Sequence, residues 1–319
     1  MSNTAVAEAV LTRVTPSSVF WPAVMVRGSW PLMTTTALPG NSPTRVTLTA
    51  QEAPLAKPAT SPRHKDRARV KCRITSTLPA MKPVAIFRFS SDDGPGYFAS
   101  FLDRHSIPWA QYNLDEGDAL PARPGDFSGF VFMGGSMSVN DDLPWIPPIL
   151  ALIRHALALG RPCLGHCLGG QLMSKALGGE VTTNPVKEIG WNPLVAEDNA
   201  IARQWLGDDL GRHPRFITFQ WHGETFTLPE GATSILRADA CENQAYVIGK
   251  SLGMQFHVEM TPEMIEAWCD DWEAEHADAS LPSVQRPDEM RAATPANMPA
   301  LNSLADRLYG RWIAGLAAH

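Results

Sequence analysis

The sequence predicts an α/β fold: a mostly parallel, open sheet with helices on both faces. Three observations predict it. From residue 81 onward, short apolar runs alternate with segments of helical period, the pattern of successive βαβ units. Two of the apolar runs end at glycines, "FSGFVFMGG" and "RPCLGHCLGG", where a strand gives way to a sharp turn. Hydrophobic residues make up 44% of the 319 and charged residues 19%, ordinary globular usage that provides for a sizeable core.

The elements follow in order. Residues 83–89 (PVAIFRF) predict a first strand, 96–106 a helix, 109–114 a second strand and 127–135 a third that stops at Gly134 and Gly135. Residues 147–160 predict a helix, with two prolines suited to its first turn and Gly160 as its stop. Residues 161–167 are the fourth strand and 168–179 the helix after it. The second half changes texture: 180–199 read as extended, antiparallel excursions, 215–229 as a strand leading into a loop, and 234–238, 245–249 and 252–260 as further short strands. Two helices close the chain. One covers 261–276, with Thr261 as N-cap and Pro262 in its first turn; the other covers 298–317, and 277–297 read as a Pro/Ala/Asp-rich loop between them. Leu301, Leu304, Leu308, Trp312 and Leu316 fall at helical spacing and are expected to face the core, as are Trp191, Trp268 and Trp272.

Charge divides the chain. Residues 1–80 hold ten Lys/Arg against three Asp/Glu, net +7, whereas the rest hold seventeen against thirty, net −13. The first eighty residues are rich in Thr, Ser, Pro and Ala with weak periodicity, so they are expected to be a low-order basic extension. Met81 opens "MKPVAIFRFS" as a protein start would, which assigns the folded unit to 81–319 and leaves 1–80 outside the natural protein. A targeting presequence and a nucleic-acid tail are the alternative readings of that basic segment. The acidic body has no phosphate-binding footprint, so no nucleic-acid partner is expected. No apolar run reaches the ~18 residues of a membrane span, so no membrane partner is expected either. Five widely spread cysteines (Cys72, Cys163, Cys167, Cys241, Cys269) fit a reducing cytoplasm better than a disulfide framework.

The chemistry gathers at Cys167. Gly165 and Gly169 flank it at G-x-C-x-G spacing, the spacing of a nucleophile elbow with sulfur replacing the serine oxygen. At the end of a strand and the start of a helix, the sulfur faces the partial positive charge of the helix N-terminus. A thiolate needs a base and the base an orienting partner; His257 and Glu259, two apart on an expected strand, share one face and supply both. Backbone amides of Gly134, Gly135 and Leu168 are the candidate donors to an oxyanion. Cys163 lacks flanking glycines and is expected to be an inert core thiol. A metal reading of His166 with Cys163 and Cys167 fails, because no second Cys/His pair follows at zinc-site spacing; His166 is expected to be structural or pocket-lining.

With its G-x-C-x-G-x-Q elbow (Gly165 to Gln171), glycine-rich loop (Gly134 to Ser136) and H-x-E pair, the chain from Met81 resembles the class I, triad-type glutamine amidotransferases, in particular stand-alone members akin to the amidotransferase domain of GMP synthase. The resemblance spans roughly residues 83–262 and implies a flavodoxin-like sheet. It also implies that Cys167 attacks the glutamine side-chain amide, that His257 passes a proton to departing ammonia, and that a glutamyl thioester is then hydrolysed. By the same resemblance Gln171, Gln220, Trp221 and His222 contact the substrate, with "QWHGE" as a substrate-side loop. No cofactor and no metal are implied. No synthetase domain is recognisable, so ammonia is expected to pass to an unidentified acceptor or a separate synthetase subunit. Two other readings stay open: a γ-glutamyl peptide or amide hydrolase with the same triad, and a partner-binding module whose site is vestigial. An α/β-hydrolase fits less well, since there the acid precedes the histidine.

Overall fold

The computed structural model describes residues 81–207, 213–272 and 278–316. The expected basic extension, 1–80, lies outside the described residues.

One nine-stranded sheet organises the described residues, in the order β2-β1-β3-β4-β9-β8-β7-β5-β6. Strands β1 (Val84–Arg88), β2 (Trp109–Asn113), β3 (Gly129–Phe132), β4 (Cys163–His166) and β9 (Ser251–Met254) run parallel. Strands β8 (Ala245–Ile248), β7 (Thr233–Arg237), β5 (Val181–Ala196) and β6 (Arg215–Phe226) join them through antiparallel pairs. The sheet is thus mixed, parallel through its first half and antiparallel through its second, and the extended excursions read in the second half are that antiparallel portion.

Both faces are covered, which is why the parallel strands are near-continuously apolar. Along β1, Val84 and Ile86 enter one core while Ala85 and Phe87 enter the other, as strand alternation requires. One core receives Phe98 and Phe101 of α1 (Gly96–Arg104) together with α6 (Pro287–Ile313); the other receives Ile149, Leu152 and Ile153 of α2 (Ile146–Ala158) with Leu172 and Met173 of α3 (Leu168–Ala176). Helix α2 starts where its prolines allow, with Pro147 and Pro148 in its first turn. In α5 (Pro262–Asp270) the Thr261 side chain accepts a hydrogen bond from the Met264 amide, the N-cap expected of it.

Three expectations are corrected. Helix α6 begins at Pro287, eleven residues before the helix read from the sequence, inside the stretch read as loop. Its start is fixed by Glu289, whose carboxylate accepts a hydrogen bond from the Arg286 amide at 2.8 Å. Pro295 and Pro299 do not break it; both lie on its exposed side, away from the packed stripe. Meanwhile Met290, Thr294, Met298, Leu301, Leu304, Leu308 and Trp312 form a buried stripe on the other side. The second correction concerns "QWHGE", which is no loop: Gln220 to Glu224 lie inside β6, paired with β5. Third, β9 ends at Met254, so His257 and Glu259 sit beyond the strand, where His257 makes a single bridge to Phe219 of β6.

Candidate active site

The site lies at the C-terminal ends of β1, β3, β4 and β9, the end at which open α/β sheets present ligands. Cys167 is the one residue between β4 and α3, and its backbone sits at φ 47°, ψ −108°, strained for a residue with a Cβ. The glycines around it are required by close approach. A Cβ on Gly165 would stand 2.4 Å from the Gly169 backbone, one on Gly169 2.0 Å from the Phe132 carbonyl oxygen, and one on Gly170 2.4 Å from that of Met254. The elbow therefore threads between the ends of β3 and β9, and its sulfur faces a cleft of about 670 Å³.

His257 reaches the cleft from the segment after β9. Its Nδ1 lies 2.6 Å from Oε1 of Glu259, while its Nε2 makes no regular hydrogen bond. Burial by itself would depress His257, but the Glu259 charge, the nearness of the Cys167 sulfur and the hydrogen bond to Glu259 outweigh it and raise its proton affinity well above the usual imidazole range. Burial pushes the Glu259 carboxyl up, yet the imidazoles of His166 and His257 and the hydrogen bond from His257 hold it below the usual carboxylate range.

Supporting residues come from distant parts of the chain. The Glu259 carbonyl accepts a hydrogen bond from the Tyr97 amide at 2.8 Å, beside Gly96, where φ is 42° and a Cβ would collide with that same oxygen. His166, fully buried, brings Nε2 to 3.7 Å from Glu259 Oε2 and 2.9 Å from the Tyr309 hydroxyl of α6. It is structural, lying beneath the carboxylate. Trp268 of α5 meets the His257 ring edge to face at 4.9 Å and also lines the cleft. Gln255 donates its side-chain amide to the Cys167 sulfur at 3.5 Å, and Gln171 donates to Gln255 Oε1 at 3.2 Å. Burial lifts the Asp93 carboxyl to about 6, with Glu259 adding to the rise and His257 opposing it.

Among the residues named from the sequence, Cys167, His257, Gly135, Gln171, Trp221 and His222 line the cleft, and Glu259 lies behind His257. Gly134 and Gly135 follow β3 after one intervening residue, Met133. A Cβ on Gly134 would stand 2.7 Å from Asp93 Oδ1, and one on Gly135 2.8 Å from the Leu168 side chain. Gln220 does not reach the cleft. It is fully buried and donates to Thr218 and Gln244 instead. Gln255, Asp93, Trp268 and Tyr309 carried no sequence signal, since each meets the site only through tertiary packing. Cys163 is a fully buried core thiol and Trp191 packs against Phe219, as expected of both. Among the described residues no helix is long and apolar enough to cross a membrane.

The chain is similar to known proteins in the region that builds this cleft. It is 44% identical to a glutamine amido transferase of Methylobacillus flagellatus of known structure, with a TM-score of 0.71 over 75% of this chain and 97% of that one. It is 29% identical over 188 residues to the putative glutamine amidotransferase-like protein YfeJ of Salmonella typhimurium, covering 55% of this chain and 74% of YfeJ. More distant relatives are the glutamine-hydrolyzing GMP synthase of Azoarcus sp. (30% over 155 residues, 47% of this chain) and gamma-glutamyl peptidase 4 of Arabidopsis thaliana (24% over 173 residues, 53% of this chain and 68% of that one). The match covers only 28% of that GMP synthase. The family model for glutamine amidotransferase class-I matches residues 106–267, which contain the elbow, His257 and Glu259. The chain belongs to the class-I glutamine amidotransferase family.

Proposed function

We propose that the unit spanning 81–319 hydrolyses the side-chain amide of glutamine through a thioester on Cys167, with His257 as acid and base and Glu259 as its orienting carboxylate. The observation that carries this reading is the strained cysteine at the head of α3 sharing a cleft with a buried imidazole whose far nitrogen is 2.6 Å from a carboxylate. The Cys167 thiolate attacks the amide carbon, and the developing oxyanion turns toward the backbone amides of Gly134, Gly135 and Leu168. Protonated His257 gives its proton to the departing nitrogen, and ammonia leaves. Neutral His257 then draws a proton from water, whose oxygen opens the thioester and releases glutamate.

Five carboxylates (Asp92, Asp93, Asp141, Glu224, Asp271) and Lys187 edge the cleft. That sign pattern suits an amino acid head, the ammonium against carboxylates and the α-carboxylate against Lys187. Ammonia then passes to an acceptor or to a separate synthetase subunit, in the cytoplasm.

A second reading uses the same residues on γ-glutamyl peptides or amides. It is favoured by the cleft volume of about 670 Å³, which leaves room for a leaving group larger than ammonia. Free glutamine and a panel of γ-glutamyl dipeptides separate the two: the first reading expects the higher kcat/KM on glutamine, and a strong preference for dipeptides replaces it with the second.

A further inference from the structure

Beside the cleft, and outside the catalytic set, three metal-ligating side chains converge. Glu188 comes from β5, His222 from β6 and Cys241 from the turn before β8. All three are buried, and their ligand atoms lie within 4.8 Å of one another. We propose that they bind one divalent cation of the zinc class.

The hydrogen bonds of His222 point to a cation. Its Nδ1 is 2.9 Å from the Glu224 carbonyl oxygen, which only accepts, so the proton sits on Nδ1. Its Nε2 is 3.1 Å from Glu188 Oε2, another acceptor. In the neutral ring a lone pair would therefore face a buried carboxylate. A positive charge belongs between them, either a second proton or a metal ion. Donation from the remote nitrogen to a backbone carbonyl is the arrangement that orients metal-binding histidines. Glu188 is held in the same way: Gln244 donates to its Oε2 at 2.6 Å, and Gln220 donates to Gln244 at 3.2 Å. Gln220 thus belongs to a second layer around this cluster rather than to the cleft.

The donor set suits zinc in type and charge. Carboxylate, imidazole and thiolate are all zinc ligands, and two anions offset a 2+ ion. Zinc bonds of about 2.0–2.3 Å place tetrahedral ligands roughly 3.3–3.7 Å apart, so the widest separation here needs to close by about an ångström. Binding releases the Cys241 thiol proton to solvent, together with the Nε2 proton where His222 carries one. Three protein ligands leave one position for water.

The test uses the full chain carrying Cys167→Ala, which removes the thiol that lines the cleft, stripped with a chelator and titrated with Co²⁺. The expected result is one equivalent bound, with a near-ultraviolet sulfur-to-cobalt band that zinc displaces. Cys241→Ser abolishes the band and Cys269→Ser keeps it, while Glu188→Gln weakens zinc binding about tenfold or more. Absence of stoichiometric uptake by the stripped, folded chain overturns the proposal, as does a band that survives Cys241→Ser. Should Cys241→Ser not fold, the cobalt spectrum of the Cys167→Ala chain decides, since uptake without a thiolate band also overturns it.

Discussion

Nδ1 of His257 lies 2.6 Å from Oε1 of Glu259, although neither residue belongs to a strand. The pair is held from two sides instead: the His257 amide donates to the Phe219 carbonyl at 2.9 Å, and the Glu259 carbonyl accepts from Tyr97 at 2.8 Å. The Glu259 charge is also a main cause of the raised proton affinity of His257.

Glu259→Gln should therefore lower kcat by up to about 10⁴-fold, the loss when a triad carboxylate becomes an amide. The pH profile should move as well. His257 must hold a proton to expel the leaving nitrogen, so activity is lost on the alkaline side once that proton leaves. In the Glu259→Gln variant the loss comes at lower pH. A profile of kcat/KM against pH checks this, and an unshifted alkaline limb contradicts it.

The elbow predicts a contrast between two glycines. Gly169→Ala forces a Cβ to within 2.0 Å of the Phe132 carbonyl and should cost about 3 kcal/mol or more, as overpacking against backbone does. Gly160→Ala, at φ 66° but with nothing within 4 Å, should cost only about 1–2 kcal/mol, the strain of a left-handed alanine. Urea unfolding of both variants measures the difference, and equal losses would show that crowding at the elbow is not what requires glycine.

Tyr309→Phe removes the hydroxyl 2.9 Å from His166 Nε2 in a fully buried site. The orphaned ring nitrogen should cost about 1–3 kcal/mol. Because His166 lies beneath Glu259 and does not face the cleft, kcat should stay within about tenfold. Urea midpoints and steady-state rates test the two halves separately.

Asp93 gives a stability change with a definite sign. Burial raises its folded value to about 6 from an unfolded value near 3.8, so its contribution is fully present below the unfolded value and is lost as pH rises through the folded one. Asp93→Asn should thus gain stability relative to the parent at pH 7.5 and show a smaller gain, or none, at pH 4.5. Chemical denaturation at the two pH values decides; an equal gain at both would mean the carboxyl is not strained by burial.

Local signals made the nucleophile legible. The glycine spacing around Cys167 records in part a contact within one turn of the chain, Gly165 against Gly169, and the N-cap at Thr261 is as local. The pairing of His257 with Glu259 was also readable, but for a different reason than strand alternation, since β9 stops before them. Where the sequence misled, a residue with a strong local habit was overruled by packing. "QWHGE" read as a loop, yet the 12-residue strand β6 runs through it against β5. Pro295 read as loop, yet the buried stripe of α6 holds the helix through it. Gln255, Asp93, Trp268 and Tyr309 were illegible because each joins the site through contacts between segments far apart in sequence.

The account stands on covalent chemistry at one sulfur. Rapid acid quenching of the chain during turnover of glutamine or a γ-glutamyl dipeptide, followed by peptide mass spectrometry, reads it directly. The predicted result is one γ-glutamyl group on the peptide containing Cys167, with adduct and turnover both lost in Cys167→Ala. Undiminished turnover by Cys167→Ala would contradict the account.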